Sequence, residues 1–445
     1  MAYRWPTGGR IGVCLRPGSA TAALVVDGRS VSQSAIPFDG HDERALTTLL
    51  RETSARAKGP VESVAWDLSE LLVPTADIGR VAALRVVPRE PVSAGLADHP
   101  APLMRALVGH RTTVRGGHDM FGLELAPLDL DGAVRAARAA ADAGFTALAI
   151  TAAGAVGCAE HESAVAESVL DAVPGLRLSL SHEIGGLGVS AREAATVLTA
   201  ALGPLATELV GRCERSTAAG VRRGASWYVA ADGGRVSAER LRTFPVHGLR
   251  AGTAAGMLGA AMLSSVSTAT VVLAGADGYT SGQVRDGLPH AASDVMTLDG
   301  MRLATPQAVL SSVSPPLAPT SPAPAIPDTV VAARDETGTE GARHFADRLG
   351  NAGTLVDPAA DVVAIGCTAT EPSAWLDLVV SADTPQELRR VRGQVEDRAC
   401  TVVASGGARP GTERVVSSSA VPLSFLRSGS YRVVVRATGR LGGAL

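Results

Sequence analysis

Histidine residues followed directly by an acid are the groups in this chain best suited to chemistry. Such a pair can act as a general acid and base near neutral pH, or can bind a metal ion. No pair shows the i, i+4 spacing of helical metal ligands, so no metal site is expected. We take Glu183, His182 and His118 as the catalytic candidates. The pairs of this kind that we consider are His118-Asp119, His161-Glu162 and His182-Glu183.

The pair His182-Glu183 lies where an α/β protein commonly places a ligand. It follows an apolar, strand-like run at residues 176–180 and precedes a glycine-rich turn at residues 185–188. Loops that follow strands often carry binding residues. The same position also suits a polar pair that anchors a domain junction. The sequence leaves both roles open and favours the structural one.

The composition argues against several classes of protein. A formal net charge of −3 over 445 residues gives no electrostatic basis for binding nucleic acid. We find no uninterrupted apolar run of about 18 residues and no signal-peptide core, so no membrane span is expected. The five cysteines are scattered without a Cys-x-x-Cys motif, which favours a reduced, cytoplasmic location. Lys58 is the single lysine, a composition typical of a GC-rich bacterium.

The N-terminal half alternates strand-like and helix-like segments. Apolar runs at residues 10–15 and 22–26, joined through Pro17-Gly18, predict a hairpin. Helices are predicted over residues 42–57, 128–143 and 162–172. Alternation of this kind predicts a largely parallel sheet covered by helices. Further strands are predicted at Val64 and over residues 81–87, 112–114, 145–151 and 176–180.

A capped helix is predicted directly after the glycine turn. Ser190 and Glu193 have the spacing of a capping box, in which each side chain accepts a hydrogen bond from the backbone amide of the other residue. Apolar residues then recur at helical spacing. Gly203-Pro204 is predicted to interrupt this helix, because proline removes a backbone donor.

The C-terminal half repeats the same alternation. The small, apolar segment 252–263 suits either a tightly packed interior helix or a subunit contact, and we favour the interior. The proline-rich segment 314–327 is predicted to be an extended linker or surface loop. A β-rich piece is predicted over residues 401–438. Strands are predicted over residues 226–230, 269–273 and 361–365, and helices over residues 237–242, 339–349 and 385–400.

Several short motifs occur in an order that resembles the hydantoinase A and 5-oxoprolinase family. Residues 115–122, followed by 126–129, are similar to the family segment G-G-G-H-E-F-D-G … P-L-D. Residues 179–206 resemble the block that follows the family's first domain, and residues 251–256 resemble its S-G-P-A-A-G motif. Residues 421–426 and 433–439 are similar to the close of the shorter family members, P-L-x-Y-L-P … R-V-R-A-x-G.

The resemblance implies an architecture. We expect an α/β protein with two ribonuclease H-like domains of the actin-like ATPase (hydantoinase A) class, an interdomain cleft and a small C-terminal β-rich piece. Residues 1–185 would form the N-terminal domain and residues 186–313 the first half of the second. Residues 314–327 would form the linker or loop. Residues 328–445 would form the remainder of the second domain, with the β-rich piece.

The nucleotide-binding loops of the family are degenerate in this chain. The family's first loop, I-G-x-D-x-G-G-T-x-T-D, aligns with residues 11–21, where Cys14 replaces the first acid and Arg16-Pro17 the glycine pair. Its second loop aligns with residues 273–280 and keeps only Gly275 and Asp277 as cofactor-binding candidates. A third, glycine-rich turn corresponds to residues 365–369. Pro17 offers no N–H to a phosphate, and the first loop retains no carboxylate for Mg²⁺.

The family phosphorylates a small cyclic amide or a related carbonyl with ATP, and the lost groups are those that stabilise phosphoryl transfer. We therefore expect a member that has lost ATP-dependent catalysis, uses neither ATP nor Mg²⁺, and serves as a binding or scaffolding subunit. The alternative is an active ring-opening amidohydrolase or carbonyl-activating enzyme that uses Glu183, His118 and Asp277 in a remodelled cleft. The open partner classes are a paralogous or companion subunit and a small-molecule ligand in the cleft. Neither nucleic acid nor a membrane is expected.

Overall fold

The computed structural model describes residues 5, 8–75, 78–89, 99, 101–293, 301–315, 329–424 and 426–442. The proline-rich segment 314–327 lies outside these residues except for its first two. The described residues form two six-stranded sheets, a four-stranded sheet, a three-stranded sheet and a two-stranded pair. Helices pack between and around these sheets. The chain is therefore a mixed α/β protein.

The first sheet is built on an N-terminal hairpin. Its strands are β1 (Gly9–Arg16), β2 (Gly18–Val26), β3 (Arg29–Phe38), β4 (Val61–Asp67), β9 (Ala225–Val229) and β10 (Arg235–Val236). They lie in the order β10-β9-β4-β1-β2-β3. The predicted hairpin is confirmed, because β1 pairs antiparallel with β2 on either side of Pro17. Helix α1 (Glu43–Ala55) then leads to β4, which pairs parallel with β1.

The second sheet is the parallel sheet that the N-terminal half predicted. It contains β5 (Val81–Val87), β6 (Val108–Arg115), β7 (Ala147–Ala152) and β8 (Arg177–Leu180), in the order β6-β5-β7-β8. All of its pairs are parallel. Residues of β5 alternate between two core clusters, Val81 and Ala83 on one face and Ala82 and Leu84 on the other. Its helices are α2 (Pro102–Leu107), α3 (Leu130–Asp142) and α4 (Glu160–Ala172).

A short helix, α5 (Ser181–Ile184), and a long one, α6 (Val189–Gly220), connect the first two sheets. The predicted capping box is wrong: Gly188 precedes α6 without a side-chain cap, and Glu193 binds Arg85 and Arg111 instead. The predicted interruption is also wrong, because α6 continues through Pro204. Most of α6 is buried against both sheets. That packing outweighs the roughly 3 kcal/mol cost of an interior proline.

Helix α6 is also apolar enough to cross a bilayer by length and composition alone. Its most apolar window has a mean hydropathy of 1.4, and 67% of that window is buried inside the protein. A buried helix of this kind is apolar because it fills a core. Its contacts with the two sheets therefore account for its composition.

The third sheet carries the second hairpin. Its strands are β11 (Ala269–Gly275), β12 (Gly278–Arg285), β13 (Leu288–Pro289), β16 (Leu310–Val313), β17 (Thr329–Ala333) and β18 (Gly353–Leu355). The main order is β13-β12-β11-β17-β18, and β16 pairs with β12. Helix α9 (Thr339–Leu349) packs on one face. Helices α8 (Ala251–Leu263) and α10 (Val362–Ala369) fill the core between this sheet and the first one.

For the layer formed by α8 and α10, one prediction is wrong and another is confirmed. Residues 361–365 were predicted as a strand, but Asp361 caps helix α10 by accepting hydrogen bonds from the backbone of Val363 and Ala364. The segment is buried all round, so its sequence shows no helical period. The interior role of residues 252–263 is confirmed. A Cβ added at Gly259 would lie 1.9 Å from the carbonyl oxygen of Val362, so glycine permits this close approach.

The C-terminal part forms a separate antiparallel sheet. Strands β19 (Ser373–Ser381), β20 (Arg414–Pro422) and β21 (Ser430–Thr438) lie in the order β19-β21-β20. Helix α11 (Pro385–Ser405) packs on this sheet and extends over the first residues predicted to be β-rich. The remaining short elements are α7 (Ala238–Thr243), the pair β14 (Ala291–Ala292) and β15 (Gln307–Ala308), and 3₁₀ turns at Pro245–Gly248, Glu336–Gly338 and Gly350–Ala352.

Candidate functional site

An arginine at the end of β1 joins the first degenerate loop to the residue that precedes α10. The side chain of Arg16 donates to both carboxylate oxygens of Asp361, at 2.6 and 3.1 Å. It also donates to the backbone oxygen of Arg334, at 3.3 Å. Both side chains of the Arg16–Asp361 pair are mostly buried, with 12% and 14% of their surface exposed. The first hairpin is thus tied to the N-terminus of α10 and to the third sheet.

Asp361 is fully engaged in this arrangement. One of its carboxylate oxygens accepts from the amides of Val363 and Ala364, at 3.1 and 3.0 Å. Its own amide donates to the side-chain oxygen of Gln33 on β3, at 2.6 Å. A helix N-terminus commonly attracts an anion through such free amides. Here the protein's own carboxylate occupies them, and Arg16 balances its charge.

The second degenerate loop forms the tight turn between β11 and β12. Gly275 and Asp277 line a small depression there together with Arg334, and Asp277 is exposed. The interior of the depression has a volume of about 30 Å³. Pockets that enclose most of a small-molecule ligand commonly have about 300–1,000 Å³. The depression is therefore a shallow surface feature.

A buried acid that the sequence interpretation missed lies below Arg16. Asp67 ends β4 and is 1% exposed. It accepts hydrogen bonds from the amide and hydroxyl of Ser69, at 3.1 and 3.2 Å, and from the thiol of Cys14, at 3.5 Å. Burial raises the pKa of Asp67 to about 6, against the opposing effects of Ser69 and Arg16. An acid at the end of a buried parallel strand is a signal that could have identified it.

Cys14 contributes a thiol to this cluster. It is completely buried, and burial, with the nearby charge of Asp67, raises its pKa well above the usual range. A thiol of this kind stays protonated and is a poor nucleophile. Cys14 therefore serves as a hydrogen-bond donor to Asp67.

The carboxylate that binds the predicted catalytic residue His182 is Glu162. It is completely buried, and one of its oxygens accepts from His182 Nδ1 at 2.7 Å. Its other oxygen accepts from the hydroxyl of Ser181 and the amide of Ala152, both at 2.6 Å. The hydrogen bond to Glu162 raises the pKa of His182. The pair that the sequence singled out is thus divided, with His182 facing inward.

Arg192 on α6 completes this network. It donates to the hydroxyl of Ser181 at 3.3 Å and to the backbone oxygen of Ala152 at 2.8 Å. It also holds the glycine turn through the backbone oxygen of Gly186, at 3.1 Å. The network joins α4, α5, α6 and the end of β7. Such a fully bonded polar junction fixes the relative positions of the elements that it connects.

Glu183 lies on the exposed side of α5. Burial lowers the pKa of Arg240, and the nearby charge of Glu183 offsets part of this effect. His118 is buried, and its ring centroid lies 4.1 Å from that of His161. His118 and His182 thus both lie near the start of α4, whereas Asp277 and Gly275 belong to the third sheet.

Comparisons with known proteins agree with this architecture. Residues 91–173 match the family described as the hydantoinase/oxoprolinase N-terminal region. Over 99% of this chain and 89% of the other, the fold is similar to a nucleotide-free structure of acetone carboxylase, with a TM-score of 0.69 and 12% identity. It is also similar to an ATP-dependent caprolactamase from Pseudomonas jessenii, with a TM-score of 0.73 and 12% identity, over 98% of this chain and 88% of the other. A search of curated proteins gave no match.

The mixed α/β fold of this chain is thus similar to the folds of both solved proteins. The resemblance carried by the motifs at residues 115–129 is confirmed by the family match over residues 91–173.

Proposed function

We propose that this chain is a hydantoinase/oxoprolinase-family protein that has lost ATP-dependent catalysis and acts as a binding or scaffolding subunit. In this proposal the first and third sheets belong to two ribonuclease H-like domains of the actin-like ATPase class. The cleft between them is the region around Arg16, Asp361 and Arg334. The C-terminal antiparallel sheet is the small β-rich piece.

The observation that carries the proposal is the ion pair between Arg16 and Asp361. A phosphate loop presents free backbone amides to the nucleotide, with carboxylates nearby to hold Mg²⁺. In this chain Pro17 has no amide hydrogen, and Asp361 already binds the first amides of α10. Arg16 and Asp361 neutralise each other. The carboxylate of Asp361 thus supplies the negative charge that a nucleotide phosphate would bring to these amides.

The other donors in the region do not suit a magnesium nucleotide either. Mg²⁺ requires several oxygen ligands in near-octahedral geometry, usually with water and phosphate among them. Asp67 is enclosed, shares its oxygens with Ser69 and Cys14, and has its pKa raised to about 6 by burial. The depression beside Asp277 is too small to enclose a nucleotide. We therefore assign no catalytic step to ATP or Mg²⁺.

Calorimetric titration of the full chain with Mg-ATP tests this proposal. We expect no binding tighter than about 1 mM, which corresponds to roughly 4 kcal/mol. Arg16→Ala serves as the matched variant, because it removes the cation that would hold a phosphate if the loop had only changed its chemistry. Micromolar binding by the wild type, especially if Arg16→Ala abolishes it, would contradict the loss of nucleotide binding.

The subunit role has its own test. A binding or scaffolding subunit should associate with a companion, so light scattering of the protein purified from its native extract should show a complex. A strict monomer with no companion protein would count against this role. The alternative enzyme, acting through Glu183, His118 and Asp277, has less support, because Asp277 lies in a turn of the third sheet, whereas Glu183 and His118 follow strands of the second sheet.

A further inference from the structure

We propose that His118, Cys158 and Glu160 form a binding site for a divalent metal ion of the zinc type. Each of the three side chains offers one donor atom, and these atoms all lie within 4.8 Å of one another. The site lies beside the second sheet and includes none of the residues around Arg16 and Asp361. It therefore stands independently of the proposed loss of ATP chemistry.

Two loops bring the donors together. His118 follows β6, whereas Cys158 and Glu160 lie between β7 and the first turn of α4. The amide of His118 donates to the backbone oxygen of Ala153 at 3.0 Å, which ties one loop to the other. A Cβ added at Gly154 would lie 2.1 Å from the backbone oxygen of His118. The loops are thus packed backbone against backbone, and the donors are held near one another before any ion binds.

His118 has binding capacity that the protein itself does not use. Its side chain is buried, with 4% of its surface exposed, and its Nδ1 atom has no hydrogen-bond partner among the described residues. Buried polar atoms nearly always have a partner, so an unpaired one needs an explanation. The adjacent His161 differs, because its Nδ1 accepts from the amide of Gly117 at 2.8 Å. His118 is therefore the histidine that is free to bind an ion.

The donor set indicates which ion would bind. Imidazole, thiolate and carboxylate together suit Zn²⁺, whereas Mg²⁺ and Ca²⁺ prefer oxygen ligands alone. Zinc lies about 2.0–2.3 Å from its ligands, so the donors must approach one another on binding. Glu160 is exposed and Cys158 partly exposed, which leaves both side chains room to turn inward and gives the ion a route from solvent. Three protein ligands leave a fourth position for water or another ligand.

Metal titration of the full chain, after treatment with a chelator, tests the site. We expect one equivalent of Zn²⁺ to bind in calorimetry, and Co²⁺ to give the absorption band of a cobalt–thiolate bond. Cys158→Ser should remove that band, and Cys158→Ser, His118→Gln and Glu160→Gln should each weaken Zn²⁺ binding at least about tenfold. Cys400→Ser removes a partly exposed thiol on α11 and is the matched control, which should change neither result.

Because Glu160 is exposed, Glu160→Gln still tests the site even if a change at His118 disturbs folding. Absence of stoichiometric Zn²⁺ binding to the wild type would overturn the proposal. So would a cobalt–thiolate band that survives in Cys158→Ser, or a Zn²⁺ affinity that Cys158→Ser and Glu160→Gln leave unchanged. These readouts involve no nucleotide, so they are separate from the test of the proposed function.

Discussion

Replacement of Asp67 by asparagine should stabilise the protein, and the gain should grow as the pH rises. Asp67 is almost completely buried, and burial raises its pKa from 3.8 to about 6. The folded state therefore holds a proton on Asp67 more tightly than the unfolded state between these pH values. Stability consequently falls as the pH rises through this window, and the loss is complete above about pH 6.

The two pKa values set the size of the effect. With 3.8 in the unfolded state and about 6 in the folded state, the ionised carboxylate costs roughly 1–2 kcal/mol at pH 5 and about 3 kcal/mol at pH 7. Asparagine carries no charge and retains an oxygen that can accept from the amide of Ser69. The stability that Asp67→Asn gains over wild type should therefore be larger at pH 7 than at pH 5 by about 1 kcal/mol.

Urea denaturation of both proteins at pH 5 and pH 7 measures this difference, with the midpoint and slope compared at each pH. Asp171→Asn, at an exposed position near the end of α4, is the control and should change stability by less than about 0.5 kcal/mol at either pH. A difference between Asp67→Asn and wild type that stays constant or shrinks from pH 5 to pH 7 would refute the reasoning. It would mean that Ser69 and Arg16 stabilise the charge more than burial opposes it.

Three further results are expected from denaturation experiments. Glu162→Gln should lower the free energy of unfolding by roughly 3–5 kcal/mol, since it breaks a buried charged network. The control, Glu183→Gln at an exposed position, should change it by less than about 0.5 kcal/mol. Equal losses in the two variants would contradict the structural role given to Glu162. Because the pKa of His182 is raised in the folded state, protonated His182 should contribute to the free energy of unfolding. This contribution is complete below pH 6.5 and is lost as the pH rises through the pKa of the folded state. Glu162→Gln should flatten this pH dependence. Gly259→Ala should cost at least about 1–3 kcal/mol, because its Cβ would meet the carbonyl oxygen of Val362; a variant as stable as wild type would show that the two helices can separate freely.

Local patterns predicted most of the elements of this fold. The turn at Pro17-Gly18 identified the first hairpin, and helix α9 has the predicted bounds. Failures occurred where tertiary burial overrides local preference. Helix α6 continues through Pro204 because it is packed between two sheets. Helix α10 is apolar on every side, so its sequence carries no period from which a helix could be distinguished from a strand.

The candidate sites were harder to predict, because their partners are distant in sequence. Arg16 and Asp361 are separated by 345 positions, and nothing local indicates that they meet. The histidine–acid pairs did direct attention to the correct segments. Adjacent residues in a short helix point in different directions, however. His182 therefore forms its hydrogen bond with the carboxylate of Glu162, 20 positions earlier, rather than with that of Glu183.

The ion pair at the end of the first hairpin and the cap of α10 support each other physically. A nucleotide-binding cleft that is empty leaves amides and charges that only a ligand can satisfy. In this chain the carboxylate of Asp361 binds the amides of α10 as an anion would, and Arg16 and Gln33 hold it in place. Removal of either member of the ion pair would leave the other charge partly buried and unbalanced. The ion pair and the helix cap thus stabilise the junction of the first and third sheets from within the protein itself.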